Sequence, residues 1–310
     1  MATPSDPLFA SQWHLDNASG VDLNVLPVWD PGSGAAYTGA GVGVGVLIFD
    51  DAVEIDPLGG HVHSDLDDNY AQDGGGAFLH LTIGGVTYAP TPIDRGGSSF
   101  SDTHGTQVAG ILAAERNGEG GVGVAYDVTF TVAPILRSDT PAPTVGALER
   151  SADFEVTNHS WGFQTDFEDN FDVAGWSGFA AALETSTTAG RGGLGTINVT
   201  SAGNDRQRGS DTNYHSFENS RFTITVAAAD ETGSIAPYSR PGANILVSGL
   251  SDDGAGNGTI TTTDLLGPDG ENTAASPDGD YTDQFGGTSA ATPQVSGIVA
   301  LMLEANPALG

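Results

Sequence analysis

An α/β fold with a largely parallel central sheet flanked by helices is the architecture this sequence predicts, and three observations carry it. Short β-branched apolar runs alternate with helical patterns along the 310 residues. The run "GVGVGVLIFD" has no polar alternation, which marks a strand buried on both faces. Asp50 and Asn204 each stand just past such a strand, where open parallel sheets gather their functional groups.

The elements follow in order. Residues 41–50 read as the first buried strand, and "HGTQVAGILAAERNG" as a helix opening at His104 with Gly118 as its stop. Residues 127–136 form a strand that leads into the turn "DTPAPT". A helix over 144–154, an extended segment over 155–162 and a helix over 179–190 come next. Residues 195–204 and 221–230 are strong strands, and 243–249 a weaker one. Val295, Ile298, Val299, Leu301, Met302 and Leu303 recur at helical spacing. Pro293 is expected in the first turn of that helix, which puts Ser289 near its N-terminus. Three stretches read as insertions: 67–103, with a hairpin turning at Gly84–Gly85; the acidic aromatic 163–176; and 251–283, a long surface excursion. There is no internal repeat and no linker, so residues 1–310 are expected to form one domain.

Composition narrows the function. There are 40 acidic residues against 9 basic ones, every one of these arginine, for a net charge of −31. That balance argues against nucleic acid and anionic membranes as partners, and for saline surroundings or bound divalent cations. No cysteine is present, so there is neither a disulfide framework nor thiolate chemistry. The first residues lack the basic and apolar regions of a signal peptide, and no apolar run reaches membrane-spanning length. Of four sequons, those at Asn158 and Asn198 fall in or beside core strands, where a glycan would not fit.

Ser289, between Thr288 and two alanines, reads either as a helix cap or as a nucleophile beside free N–H groups. The second reading needs a base, an orienting acid and a further oxyanion donor. His104 suits the base, at the start of a helix of small residues, while His159 reads as a structural histidine. His61 and His63 form an H-x-H pair that could ligate metal. Asp50 suits the acid and Asn204 the amide donor, giving the chain order Asp, His, Asn, Ser.

Asp50, "HGTQVAGI", "SAGN" and "GTSAATPQVSG" resemble the four signature blocks of subtilisin-like serine proteases. The kexin and furin branch is nearer still, through "SDPLFASQWHL", "FDD", "NGEGGVGVAYDV", "NHSWG" and "LMLEANPALG". The resemblance implies a subtilisin-like three-layer fold and a secreted, calcium-stabilised serine endopeptidase acting on polypeptides. It gives Asp50, His104 and Ser289 the triad roles and Asn204 the oxyanion. It places the substrate along Ser160, Trp161 and Gly162 and against Ala202 and Gly203. It assigns a calcium ion to Asp6, Asp65, the carbonyls of Glu115, Glu119 and Gly121, and the side chain of Asn117, oxygen donors that suit a hard cation. "DDGAGNG" and "SPDGDYTD" are weaker candidates for a further ion.

The departures concern specificity. Where the branch carries acids selecting Arg or Lys, this chain has Thr165, with Asp166 beside it, and His215; Arg240 or a neighbour replaces a glutamate. Asp51 still matches the acid favouring a basic second residue, and Asp166, Asp211 or the negative field would be the sources of any remaining basic preference. An endopeptidase broader than strict dibasic cleavage is expected. The branch also places a propeptide before this region and a P domain after it, so a catalytic domain from a longer chain is implied. A pseudoprotease on the same fold is the alternative. An esterase of another fold is disfavoured by Ala291, which breaks the G-x-S-x-G elbow.

Overall fold

The computed structural model describes residues 3–56, 60–72, 81–83, 86–88, 103–136 and 141–310. Its helices and strands are, in chain order, α1 (Leu26–Trp29), β1 (Gly45–Asp50), β2 (Ile55–Asp56), β3 (His61–Val62), β4 (Leu81–Ile83), β5 (Val86–Tyr88), α2 (His104–Ala113) and β6 (Thr129–Pro134). They continue with α3 (Pro141–Glu149), β7 (Val156–His159), α4 (Ser177–Gly193), β8 (Ile197–Ser201), β9 (Thr223–Ala229), β10 (Val247–Leu250), β11 (Ile260–Thr263), β12 (Tyr281–Phe285) and α5 (Gly287–Ala305).

Six strands form one parallel sheet in the order β10-β9-β8-β7-β1-β6. Strand β1 shows why its sequence is apolar throughout. Val46 and Ile48 join the core cluster containing Val108, Ile111 and Val299 of α2 and α5, whereas Leu47 and Phe49 join the one containing Leu148 and Phe179 of α3 and α4. Successive side chains thus enter opposite cores, and the three-layer architecture follows from that period of two. Helix α4 packs regularly as far as residue 189, after which Gly190, Arg191 and Gly192 leave helical geometry. No described helix is long and apolar enough to cross a membrane. Strands β4 and β5 pair antiparallel as the expected hairpin requires; its turn at Gly84–Gly85 lies outside the described residues.

Three expectations are corrected. Helix α2 ends at Ala113, not Gly118, because the returning chain takes its last carbonyls: Val124, Ala125 and Gly123 donate to Ile111, Leu112 and Ala114. Residues 251–283 are a surface excursion only in part: 254–257 and 273–278 are exposed, but every residue of β11 is buried. Thr262 and Thr263 hydroxyls donate to the Gln107 and Thr106 carbonyls of α2, both at 2.7 Å. Threonine reads as polar in sequence, but here its methyl is buried and its hydroxyl satisfied. Finally, Pro293 lies well inside α5, not in its first turn. Proline removes the donor that would have served the Ser289 carbonyl. The Ser160 hydroxyl, arriving from the end of β7, supplies the missing bond at 3.1 Å.

Candidate active site

The sheet's carboxyl edge delivers the expected groups to one place. Asp50, the last residue of β1, is wholly buried, and its Oδ1 lies 2.8 Å from Nδ1 of His104. Phe285 of β12 meets the His104 ring edge-on, with centroids 5.3 Å apart. Partial desolvation opposes charging of this imidazole. Asp50 and Asp51 outweigh that opposition and raise it to about 9.

Asp51 does something its sequence position does not reveal. Its carboxylate accepts the backbone N–H groups of Ala52 (2.6 Å), His104 (3.2 Å) and Gly105 (2.7 Å). It therefore caps α2 from outside the helix and fixes the histidine's first turn. Burial, then Asp50, push Asp51 up to about 7. Only glycine fits at 105, because a Cβ there would lie 2.1 Å from the Ala52 carbonyl oxygen.

Ser289 is the third residue of α5, near the N-terminus as expected. Its hydroxyl donates to the Ser160 carbonyl at 3.0 Å, and among the described residues it makes no hydrogen bond to His104. Asn204 is exposed beyond β8. Its Oδ1 accepts from the Thr288 N–H (2.9 Å) and hydroxyl (2.8 Å). An N–H can face only the amide oxygen, so these two bonds leave the Nδ2 donor turned away and free to serve an incoming anion. Thr288 is thus a positioning residue that the sequence had given no role, although it stands beside Ser289 in the same motif.

Ser289 and Asn204 share a cleft of about 170 Å³ with Ser160, Gly162, Gly203 and Arg240. Trp161 also lines it, its carbonyl taking the Ser201 hydroxyl at 3.0 Å, whereas Ala202 is buried behind. Thr165 and Asp166 are not among its lining residues. Asp166 instead accepts the Ser210 hydroxyl at 2.5 Å and lies 3.5 Å from His215 Nε2. Behind the wall is an ion network. Arg240, 3% exposed, gives Nε and one Nη2 proton to Asp205 and donates from Nη2 to the Phe163 carbonyl at 2.6 Å. Its Nη1 is 3.4 Å from Glu218. Burial, with help from Asp169, pushes Glu218 up to about 8 against the pull of His215 and Arg240. Asp205, Asp169 and Glu218 had gone unnoticed in the sequence, where 22 residues separate Glu218 from Arg240 and 35 separate Asp205 from it.

The six calcium positions also converge. Asp6 accepts from Gly118 N–H (2.9 Å) and Asp65 from Gly121 N–H (3.0 Å). Asn117 reaches the Ser64 carbonyl (3.0 Å), Glu119 accepts the Ser64 hydroxyl (3.0 Å), and the Glu115 N–H meets the Asp65 carbonyl (2.9 Å). Two buried oxygens, Asp6 Oδ2 and Asp65 Oδ1, have no hydrogen-bond partner among the described residues. Orphaned carboxylate oxygens in an all-oxygen donor set fit a hard cation. The weaker candidates do not share this feature. Asp253 is occupied by Ala255 and Asn257, and Asp280 by Gly267 and Ser276. His63 also has both ring nitrogens engaged, by Asp65 N–H at 3.2 Å and the Asp280 carbonyl at 2.9 Å, so the H-x-H pair offers no metal site. A separate buried group, Asp169, His215 and Glu218, has ligating atoms within 4.8 Å of one another.

His159 is structural, as expected: it stacks on Phe49 at 4.3 Å and shares a 2.9 Å hydrogen bond with Thr157. Asn158 and Asn198 are buried and bonded, which leaves no room for glycans.

The chain is similar to kexin of Saccharomyces cerevisiae, at 33% identity over 98% of this chain and 33% of that protein. It is also similar to human furin, at 32% identity over 98% of this chain and 34% of that one. It spans about a third of those relatives' length. A serine protease of Aeromonas sobria superposes with a TM-score of 0.80 at 26% identity, over 99% of this chain and 56% of that one. Residues 39–310 match the subtilase family, and the chain belongs to it.

Proposed function

We propose that the protein is a calcium-stabilised serine endopeptidase, secreted into saline surroundings by a bacterium. The observations that carry this reading are the 2.8 Å Asp50–His104 pair and the cleft that holds Ser289 with the free amide of Asn204. Ser289 attacks the scissile carbonyl once its hydroxyl turns from Ser160 to His104, which takes the proton and returns it to the leaving amine. Asp50 holds the imidazole in the required tautomer. Asn204 Nδ2 and the Ser289 N–H receive the oxyanion. The substrate strand lies along Ser160, Trp161 and Gly162.

Asp6, Asp65, the carbonyls of Glu115, Glu119 and Gly121 and the side chain of Asn117 would hold calcium. A bound ion there ties the N-terminal segment to the loop after α2. The pocket lacks the acids for strict dibasic cleavage, because Thr165 and Asp166 stand outside it and Asp51 is committed to capping α2. Polypeptide substrates are the partners, with a propeptide or inhibitor and a downstream P domain implied by the branch.

The competing reading, a pseudoprotease, draws on the Ser289–Ser160 bond. Cleavage of a diverse peptide mixture in calcium, read by mass spectrometry, separates the two. Products from the wild type but not from Ser289→Ala support the endopeptidase; no products from either folded protein would leave the binding module standing.

A further inference from the structure

The cleft beside Ser289 carries its own arginine, and that residue sets what the cleft accepts. This inference rests on the endopeptidase reading, since it treats the cleft as the seat of the side chain before the scissile bond. Arg240 is pressed against the wall: a Cβ on Gly203 would lie 2.7 Å from its Cζ. Glu218 is pressed against the opposite wall, 2.9 Å from a Cβ on Gly162. Asp205 is the one acid lining the cleft, and its carboxylate is engaged by Nε and Nη2 of Arg240. Arg208 stands exposed at the rim. A guanidinium carries five N–H donors. Asp205 takes two, the Phe163 carbonyl one and Glu218 one, which leaves one Nη1 donor for an incoming acceptor.

We propose that Arg240 makes this cleft a pocket for a carboxylate, so that the enzyme cuts after glutamate or aspartate and rejects arginine and lysine. A substrate arginine entering here would bring a second guanidinium into a partly desolvated space whose one lining acid, Asp205, is already paired. A carboxylate meets the remaining Nη1 donor and the field of Arg208.

The test has two stages. A fluorophosphonate probe first reports whether Ser289 reacts in the folded, calcium-loaded protein. Matched peptides carrying Glu, Asp, Gln, Ala, Lys or Arg before the cut are then compared at about 0.15 M salt, which screens the overall negative charge beyond about 8 Å. The expected kcat/KM favours Glu over Arg by about a hundredfold or more. Arg240→Gln should reduce that ratio to below about tenfold. Arg208→Gln, at an exposed position that leaves the fold intact, should reduce it by about threefold. A labelled enzyme that prefers Arg or Lys, or ignores this charge, overturns the pocket assignment and leaves the endopeptidase reading in place. Folded protein that neither reacts with the probe nor cuts overturns both.

Discussion

The two sides of the cleft are held by different kinds of bond. On the reacting side, side chains are fixed mainly by backbone: Asp51 by three N–H groups, Ser289 by the Ser160 carbonyl, Asn204 by Thr288. On the pocket side, charged side chains hold one another, Arg240 with Asp205 and Glu218, His215 with Asp169 at 3.0 Å. Backbone anchoring ties a group to its own short segment, so the sequence motif and the geometry coincide. Side-chain anchoring ties groups from distant segments, each of which looks ordinary alone. The first arrangement preserves a reaction; the second leaves room for a new preference.

The comparison breaks most sharply at Ser289. Ser289→Ala should lower kcat by about a millionfold, the magnitude established for subtilisin itself, without moving the melting temperature. Asp205→Ala should do the reverse and destabilise the fold by about 3–5 kcal/mol in urea titration, because it strands a buried guanidinium. Equal effects on activity and stability from both variants would erase the distinction between the two sides. Asn204→Ala should reduce kcat about a hundred- to a thousandfold with little change in KM, again the magnitude known from subtilisin. Calcium at about a hundredfold over its Kd should add about 3 kcal/mol of stability, lost on chelation and visible by calorimetry.

The smallest effect concerns pH. His104 is raised to about 9, and only its neutral form accepts the serine proton, so kcat/KM should climb toward that pH. Asp51→Asn removes a negative charge that favours the imidazolium. His104 then loses its proton more readily, and the rise should shift to lower pH by less than about one unit. An unmoved profile would show that Asp51 acts through helix position alone.

How much was legible in the sequence divides along the same line. Strand β1 was readable as an apolar run and β6, β7, β8 and β9 as short segments rich in β-branched residues, and Asp50, His104, Asn204 and Ser289 because each sits in a short motif at an element end. The end of α2 was missed because the chain that takes its carbonyls arrives from residues 123–125. Strand β11 was missed because threonines look like loop residues until helix carbonyls accept their hydroxyls. Arg240 was visible as a departure, but its partners belong to three other segments.

Pro293 has a consequence for folding. A peptide of residues 284–303 would contain the whole serine motif, yet its Ser289 carbonyl would have no donor and its hydroxyl no acceptor, since both are supplied by Ser160, 129 positions away. The start of this helix is therefore completed only when β7 docks against it. The nucleophile's geometry is a property of the assembled sheet, not of the segment that carries it, and no autonomous fragment could retain it.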